Sequence, residues 1–388
     1  MSCAADAGDG GTRPPGFSRR KKRRGAALFI ATLALLGCDA DLPTASKAPD
    51  PGAPLGLIDD SQGFGALFCA IARDHGSLLR HARPCGKSLH GIGEDVHSRS
   101  PPPVPGRQAF SSVRLVVVPG IFGECVARYA LPFLDAAQHL KAAHGLASMD
   151  WIPVSGRSSS RANAAAIARW LRQHPTAPGQ RLILIGYSKG ATDLIEAAVR
   201  HERAFPPRSA IVGVAGAVMG TPVADRSKEI FGALSRLELP NCAPGDGRGA
   251  ESLTTAERRA FARSKKLPSG FSYFSLPAFA PTANVSRALR PSHAALQRHG
   301  GRNDGQMLAR DAVIAPGRLL GFANADHWAV ALPLREAMPW AAGLLDRNDY
   351  PRAVLLEAII AAVLAVQPAE VPLRPDVSSR ASSAREPA

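Results

Sequence analysis

A serine lies between two glycines at a point where the sequence pattern changes from strand to helix. The segment reads Gly186-Tyr187-Ser188-Lys189-Gly190 and directly follows the apolar run at 182–185. This G-x-S-x-G spacing is typical of a tight turn that presents a serine hydroxyl as a nucleophile, because the glycines let strand and helix approach closely. The alternative is a glycine-rich turn that binds a phosphate or only joins two elements. The strand before the turn and the helix after it favour the nucleophile.

Apolar strands and helices alternate on both sides of this turn. Strands are predicted at 115–118, 149–154, 182–185, 210–217, 272–276 and 318–322, and helices at 64–73, 129–144, 161–173, 189–202 and 352–366. Strands that are apolar throughout are buried on both sides, as in a parallel sheet with helices on both faces. The pattern predicts an α/β fold that places Ser188 at the carboxyl edge of the sheet.

Together with two further segments, the serine turn resembles the α/β-hydrolase superfamily, and specifically its bacterial lipases and esterases, over about residues 113–366. The segment 117–123 is similar to the family's oxyanion loop, although it has a proline where the family usually has histidine, and 220–225 is similar to the loop before its lid. The resemblance implies a mostly parallel central sheet with helices on both faces and a cap or lid insertion. It also implies that the backbone N–H groups of Ile121 and Lys189 form an oxyanion hole.

The resemblance further implies an acid and a base for the serine. Asp304, in the segment Asn303-Asp304-Gly305, is similar to the family's catalytic acid, and His327 follows the last strand, where the family's base belongs. The order Ser188, Asp304, His327 is the order of the α/β-hydrolases. In such a triad the histidine takes the serine proton, and the aspartate fixes the tautomer of the imidazole.

Other residues near these positions are weaker candidates for the same roles. Asp326 adjoins His327, but neighbours in sequence rarely face each other, so Asp304 is preferred as the acid. His293 and His299 precede Asp304 and are expected on a surface helix. We predict no metal site and no cofactor, since none of the cysteines has C-x-x-C spacing or neighbouring histidines.

The N-terminus has the pattern of an export signal. Six consecutive basic residues precede the apolar run 26–36, and the next residues complete the segment Leu35-Leu36-Gly37-Cys38. The run is too short to span a bilayer as a stable helix. Its end resembles a bacterial lipobox, which implies a signal peptide at 1–37, lipid attached to Cys38 and a tether at 38–54. We therefore expect a lipid-anchored protein of the bacterial cell envelope; an ordinary signal peptide or a short membrane anchor is the alternative.

Export would place four further cysteines in an oxidising compartment, namely Cys69, Cys85, Cys125 and Cys242. Four cysteines allow three pairings. Cys69 with Cys85 is favoured because this bond closes a short loop around the helix predicted at 64–73, and it leaves Cys125 to pair with Cys242. Free buried thiols are the alternative for the second pair.

Changes in composition and proline-rich stretches divide the rest of the chain into three parts. Residues 55–108 are expected to form a small N-terminal cap segment that holds Cys69 and Cys85, ending near the proline run at 101–103. The catalytic domain is predicted at 109–366. Within it, the polar and poorly periodic segment 225–270 is predicted to be a lid-like insertion, and the Pro/Ser/Arg-rich residues 367–388 a disordered tail.

The positive charge of the chain does not indicate a nucleic-acid partner. The 388 residues carry 47 Lys and Arg against 32 Asp and Glu, a net charge of +15, of which residues 1–37 contribute +5. The remaining excess is mostly scattered arginine, and aromatic residues are only 6% of the chain, which argues against a base-stacking surface. The excess of arginine would instead favour contact with anionic lipid headgroups.

Taken together, the sequence predicts a monomeric serine hydrolase, similar to lipases and esterases, that cleaves carboxylic esters through an acyl-enzyme intermediate. Its substrate is expected to be an ester or lipid-like small molecule. One alternative is a non-catalytic envelope lipoprotein that keeps the same fold as a binding module. Another is a thioesterase or peptidase, because these enzymes would use the same residues.

Overall fold

The computed structural model describes residues 56–75, 79, 81–91, 102–127, 130–235 and 245–366. The predicted signal peptide with Cys38, the tether, the C-terminal tail and Cys242 lie outside the described residues. Their roles therefore stay predictions from the sequence.

Ten strands form two sheets in the described part of the chain. They are β1 (Leu57–Asp59), β2 (Leu89–His90), β3 (Val113–Val118), β4 (Ser148–Trp151), β5 (Arg181–Tyr187), β6 (Ala210–Val214), β7 (Ser272–Leu276), β8 (Ala278–Phe279), β9 (Gly317–Leu319) and β10 (Phe322–Asn324). Seven of them form the central sheet in the order β1-β9-β7-β6-β5-β3-β4, with every neighbouring pair parallel. A small sheet has the order β2-β10-β8. The predicted α/β fold with a mostly parallel sheet is confirmed.

Twelve α-helices accompany these strands within the same described ranges. They are α1 (Ser61–His75), α2 (Cys85–Ser88), α3 (Arg107–Ser111), α4 (Gly123–Val126), α5 (Leu134–His144), α6 (Ser160–Gln173), α7 (Lys189–Arg200), α8 (Pro222–Ser235), α9 (Thr255–Ser264), α10 (Arg290–Arg298), α11 (Leu334–Ala337) and α12 (Arg352–Ala365). Among these helices, none combines the length and the apolar character that crossing a membrane requires.

The central strands are buried on both faces because successive side chains point to opposite sides of a strand. On β3, Leu115 and Val117 join the core on one face, and Val116 and Val118 join the core on the other. Helices α1, α5 and α12 pack on the first face, and α6 and α7 pack on the second. The continuous apolar runs of the sequence thus reflect two cores, one on each side of the sheet.

The order of the strands opens a crevice between the carboxyl ends of β3 and β5. After β3 the chain goes to the edge strand β4 and then returns to β5 on the other side of β3. A crevice at such a reversal is where open α/β sheets bind ligands. The loop after β3 and the turn at Ser188 after β5 both lie there.

The N-terminal segment contributes to the central sheet and its core. Strand β1 pairs with β9 at the edge of the seven-stranded sheet, and Phe64 and Phe68 of α1 are buried in the same core as β3. The predicted disulfide between Cys69 and Cys85 is confirmed, and it joins α1 to α2. The part of the predicted cap segment 55–108 that the structure describes is therefore joined to the sheet by pairing and packing.

Candidate active site

Ser188 occupies the turn between β5 and α7 in a backbone conformation that side chains rarely adopt. Its φ is 56° and its ψ is −123°. The two flanking glycines make the turn possible: a Cβ on Gly186 would lie 2.4 Å from the Cα of Ala191, and one on Gly190 would lie 2.0 Å from the carbonyl oxygen of Val118. A strained residue persists only where its surroundings fix it, and such residues cluster at functional sites. The close approach of strand and helix predicted from G-x-S-x-G is thus present.

Three buried side chains form one hydrogen-bonded chain that begins at this serine. Ser188 Oγ lies 2.9 Å from His327 Nε2, and His327 Nδ1 lies 2.7 Å from Asp304 Oδ2. With the Nδ1 proton donated to the carboxylate, Nε2 is free to accept the hydroxyl proton of the serine. The structure therefore brings together the three residues that the resemblance to α/β-hydrolases suggests as nucleophile, base and acid.

The loop that carries Asp304 holds its carboxylate in one orientation. Asp304 Oδ1 accepts the backbone N–H groups of Gln306 and Met307 at 2.8 and 2.7 Å, which leaves Oδ2 for the imidazole. The backbone N–H of His327 donates to the carbonyl oxygen of Asp304 at 2.8 Å. The Asn303 side chain accepts the N–H of Gly305 at 3.0 Å and closes the turn. Both the ring and the backbone of His327 are thus fixed to the acid.

Asp326, the alternative acid, has a different role. Its Oδ1 accepts the N–H groups of Trp328 and Ala329 at 3.1 and 2.8 Å, and its Oδ2 accepts the N–H of Ser286 at 2.8 Å. Full burial raises the pKa of the Asp326 carboxyl. This carboxylate organises the backbone after His327, whereas Asp304 contacts the imidazole.

The two alternative bases do not join the serine. His293 Nε2 bonds to the carbonyl oxygen of Ala280 at 2.9 Å, and burial lowers the pKa of its imidazole. Burial also lowers the pKa of His299. The expectation that His293 lies on the surface is wrong: it is 1% exposed because α10 turns it toward that carbonyl.

The two residues expected to supply an oxyanion hole both lie next to the serine turn. Ile121 follows Gly120, where an added Cβ would lie 2.9 Å from Ser188 Cβ and 3.2 Å from its Oγ, so only glycine fits. The N–H of Lys189 is the first of α7 and has no acceptor within the helix. The positive end of the helix dipole also faces the serine.

A half-buried carboxylate that sequence reasoning missed holds the loop after β3 in place. Glu124 Oε2 accepts the N–H of Gly156 at 2.8 Å, and the hydroxyl of Ser155 lies 3.4 Å from Oε1. An added Cβ at Gly156 would lie 2.1 Å from the backbone nitrogen of Phe122, so the two loops are in close contact. Burial raises the pKa of Glu124 despite these hydrogen bonds. Cys125, the next residue, is disulfide-bonded; because Cys242 lies outside the described residues, their pairing stays a prediction.

The Lys189 side chain points away from the serine into a buried ion pair. Its Nζ lies 2.6 and 2.9 Å from the two carboxylate oxygens of Asp193, one helical turn further along α7. The amide of Asn163 on α6 donates to the same carboxylate at 2.7 Å. The i, i+4 spacing of Lys189 and Asp193 was a signal for this pair, whereas the contribution of Asn163 depends on the packing of two helices.

Tyr187 is a second supporting residue that the sequence pattern did not reveal. Its hydroxyl donates to the carbonyl oxygen of His327 at 2.7 Å. Burial raises the pKa of Tyr187 well above its ordinary value, and the charges of Asp304 and Asp326 add to the effect. The tyrosine therefore stays a neutral donor and fixes the backbone of His327.

The serine opens onto a small apolar cleft with a volume of about 80 Å³. Apolar side chains from several loops line it, among them Val223, Leu253, Met307, Trp328, Leu332 and Met338. Part of the predicted insertion 225–270 therefore borders the cleft. The insertion is also bound to the fold, because Arg258 of α9 donates to Glu196 of α7 at 2.9 Å and to the carbonyl oxygen of Val218 at 3.2 Å.

Three solved structures to which this chain is similar are an esterase and two lipases. A metagenomic carboxyl esterase, MGS0156, has 32% sequence identity and a TM-score of 0.72, and the match covers 86% of this chain and 98% of that protein. The lipase BlEst2 of Bacillus licheniformis in its mature form has 19% identity and a TM-score of 0.47, over 69% of this chain and 94% of the lipase. Lipase 1 of Pelosinus fermentans has 13% identity and a TM-score of 0.43, over 66% and 99%.

No protein-family profile and no curated protein sequence matches the chain. The assignment therefore rests on the carboxyl esterase, because the two lipases are too distant to carry an argument about function. That similarity extends over nearly the whole esterase and over most of this chain. On this basis, the chain belongs to the α/β-hydrolase superfamily, among its esterases and lipases.

Proposed function

We propose that the protein is a serine hydrolase that cleaves carboxylic esters, with Ser188 as nucleophile, His327 as general base and Asp304 as the acid that orients it. The observation that carries the proposal is the hydrogen-bonded chain from Ser188 Oγ through the imidazole to Asp304 Oδ2, with links of 2.9 and 2.7 Å. It begins at a strained serine on the wall of an apolar cleft. The family assignment supports ester hydrolysis as the reaction.

The reaction follows from the protons that each group can hold. His327 Nε2 accepts the hydroxyl proton while Ser188 Oγ attacks the carbonyl carbon, and the oxygen that becomes negative is stabilised by the N–H groups of Ile121 and Lys189. The imidazolium then donates its proton to the departing alcohol, leaving an acyl-serine. A water molecule, deprotonated by the same nitrogen, releases the acid and restores the serine. Asp304 orients the imidazole and stabilises the imidazolium in both halves of the reaction.

The lining of the cleft indicates the substrate class. Among the residues that the structure describes, its lining consists mainly of aliphatic, methionine and tryptophan side chains and includes no Asp, Glu, Lys or Arg that could pair with a charged acyl group. A cleft of about 80 Å³ suits a short, uncharged acyl chain better than a long one. We therefore expect the highest kcat/KM on esters of short aliphatic acids, with activity falling as the acyl chain lengthens.

Hydrolysis of a series of p-nitrophenyl esters by the wild type and by Ser188→Ala tests this proposal. The variant is expected to lose a factor of about 10⁴–10⁶ in kcat, because the nucleophile is absent while binding remains. Ser209→Ala is the matched control: Ser209 is equally buried, but its hydroxyl donates to the carbonyl oxygen of Pro206 at the opposite end of β6. Unchanged hydrolysis by Ser188→Ala in a folded preparation would show that Ser188 is not the nucleophile.

The same experiment extends to the leaving group. Thioesterases and peptidases use the same three residues, so the wild type should be compared on an oxygen ester, a thioester and an anilide with one acyl group. We expect the oxygen ester to react fastest. Absence of turnover on all three would favour the alternative of a non-catalytic binding module.

We also propose, from the sequence alone, that Cys38 carries lipid and anchors a monomeric enzyme in the bacterial cell envelope. The lipobox-like segment that ends in Cys38 supports this. Metabolic labelling of the full chain with a fatty-acid analogue should label the wild type and not Cys38→Ser. Equal labelling of both proteins, or none of either, would contradict lipidation at this residue.

A further inference from the structure

Three histidines and one glutamate converge where three helices meet on one face of the central sheet. His75 ends α1, His139 and His144 lie on α5, and Glu357 lies on α12. Their candidate ligand atoms all lie within 4.8 Å of one another. Within the ranges that the structure describes, no other group of three or more His, Cys, Asp or Glu residues is placed to hold a metal ion.

The geometry is centred on the carboxylate. Glu357 Oε1 lies 3.2 Å from His75 Nε2 and 2.9 Å from His144 Nε2, and Oε2 lies 3.1 Å from His139 Nε2. The carboxylate is 1% exposed, whereas the imidazoles are 15–25% exposed. An ion could therefore enter from solvent on the side of the imidazoles, while the buried carboxylate forms the opposite, inner wall of the cluster.

One of these contacts is not a hydrogen bond. The Nε2 atom of His144 is buried and has no hydrogen-bond partner in the described part of the chain, although it lies 2.9 Å from Glu357 Oε1. Buried polar atoms are normally satisfied, so an unpaired one calls for an explanation. A ligand that accepts the lone pair of this nitrogen would provide it.

We propose that His75, His139, His144 and Glu357 bind a Zn²⁺ ion. Three imidazole nitrogens and one carboxylate oxygen are ligands that zinc prefers, and four protein ligands complete its tetrahedral shell. Neutral imidazole and carboxylate also bind other divalent ions of the first transition series, whereas calcium and magnesium prefer oxygen ligands.

The distances are compatible with a tetrahedral site after a small contraction. Zinc–ligand bonds of about 2.0–2.1 Å place the ligand atoms of a tetrahedron roughly 3.3–3.4 Å apart. The separations of Glu357 Oε1 from His75 Nε2 and His144 Nε2, at 3.2 and 2.9 Å, already lie near this value, whereas His139 Nε2 lies 3.1 Å from the other oxygen. The change therefore falls on the carboxylate and the imidazoles, whose ligand atoms must approach one another by up to about 1.5 Å relative to their widest allowed separation of 4.8 Å. Rotation of partly exposed rings can supply this movement.

A site with four protein ligands is structural in character, because no coordination position remains for a substrate. None of the four residues borders the cleft at Ser188. The ion would join α1, near the beginning of the described chain, to α12 at its end through α5. We therefore expect zinc to stabilise the fold and to leave the chemistry at Ser188 unchanged.

Metal content and thermal stability of the full chain, purified without a histidine tag, test the proposal. After dialysis against a chelator and then Zn²⁺, we expect one equivalent of bound zinc by mass spectrometry, and Co²⁺ in its place should give the intense visible absorption of tetrahedral cobalt. Zinc at about 100 times its Kd is expected to raise Tm by roughly 5 °C.

Matched variants separate this site from other histidines. His139→Asn and His75→Asn should lose the bound equivalent and the rise in Tm. His174→Asn should keep both, because the exposed imidazole of His174 bonds to the carbonyl oxygen of Trp170 and is not part of the four-residue cluster. His327→Ala should also keep both, which distinguishes the site from zinc that binds at the reacting histidine.

The outcomes decide the question independently of ester hydrolysis. Stoichiometric zinc that disappears with His139 or His75 supports the proposal even if the protein hydrolyses no ester. Absence of a bound equivalent in the folded wild type, or zinc retained by both variants, would show that the four side chains are only a hydrogen-bonded cluster.

Discussion

Replacement of Asp304 by asparagine is expected to abolish most activity while leaving the fold intact. In the wild type, Oδ1 accepts two backbone N–H groups at 2.8 and 2.7 Å, and Oδ2 faces the protonated Nδ1 of His327. The asparagine amide can keep the two backbone bonds only by turning its oxygen toward them. Its NH₂ group then faces His327 Nδ1.

This orientation determines the state of the imidazole. Turning the amide the other way would leave two buried N–H donors unsatisfied, at about 1–3 kcal/mol each. That cost exceeds the single hydrogen bond gained. Nδ1 must therefore accept from the amide, so the ring proton moves to Nε2, which can no longer accept the proton of Ser188. A wrong tautomer combined with the lost carboxylate charge lowers kcat by about 10⁴ in Ser-His-Asp enzymes, or roughly 5.5 kcal/mol.

The assay compares kcat on a p-nitrophenyl ester for Asp304→Asn and Asp326→Asn, with urea unfolding of both. Asp326 is equally buried and adjoins the same histidine. Its replacement should cost about 1–3 kcal/mol of stability, since the new NH₂ group would face the N–H of Ser286, while kcat falls less than tenfold. If Asp304→Asn kept kcat within tenfold and Asp326→Asn lost it, the assignment of the acid would be wrong.

Three further predictions test the residues that support the serine. Lys189→Met should lower the free energy of unfolding in urea by about 3–5 kcal/mol, because it leaves the buried Asp193 without its cation, and adding Asp193→Leu should recover much of this loss. If the two substitutions lowered the free energy of unfolding additively, the ion pair would be contradicted. Glu124→Gln keeps an acceptor for the N–H of Gly156 and removes a carboxyl whose pKa is raised by burial, so the wild type should lose stability relative to the variant as pH rises through that pKa. A difference in the free energy of unfolding in urea that stays constant or changes in the opposite direction across pH 4–8 would contradict this pKa shift. Gly120→Ala should lower kcat at least about 100-fold because the added Cβ would contact Ser188, whereas Gly63→Ala adds a Cβ with no atom within 4 Å and should preserve kcat and stabilise α1 by about 0.5–1 kcal/mol. Equal kcat values for the two variants would contradict the close approach of Gly120 to Ser188.

The features that the sequence predicted best are those fixed by local sterics. The serine turn needs glycine at two positions because the strand before it and the helix after it lie in close contact. Both glycines fall within five consecutive residues, so the pattern is visible in the sequence. The buried strands were recognisable because both faces of the sheet are covered, so β3 is apolar at every position except Arg114, and β5 is apolar from the residue after Arg181 up to Gly186. The Cys69–Cys85 bond also follows from a short separation along the chain.

Features that depend on distant residues could not be derived in this way. The choice of Asp304 over Asp326 rested on the resemblance to a family and on the rule that neighbours in sequence rarely face each other, since both carboxylates are buried and both accept backbone N–H groups. The ring nitrogens of His75 and His139 were not recognised as partners, because Glu357 lies more than 200 residues away on another helix. The anchoring of Glu124 to Gly156 depends similarly on two loops that the strand order brings together.

Covalent labelling by a fluorophosphonate, followed by peptide mass spectrometry, tests most directly whether Ser188 is the nucleophile. The phosphorus reacts only with a serine whose proton can be removed by a neighbouring base. We expect one adduct per chain, located on Ser188 and formed in parallel with the loss of ester hydrolysis. It should be absent in Ser188→Ala and form about 10⁴-fold more slowly in Asp304→Asn. An adduct on another residue, or an active enzyme that the probe leaves unmodified, would contradict this role of Ser188.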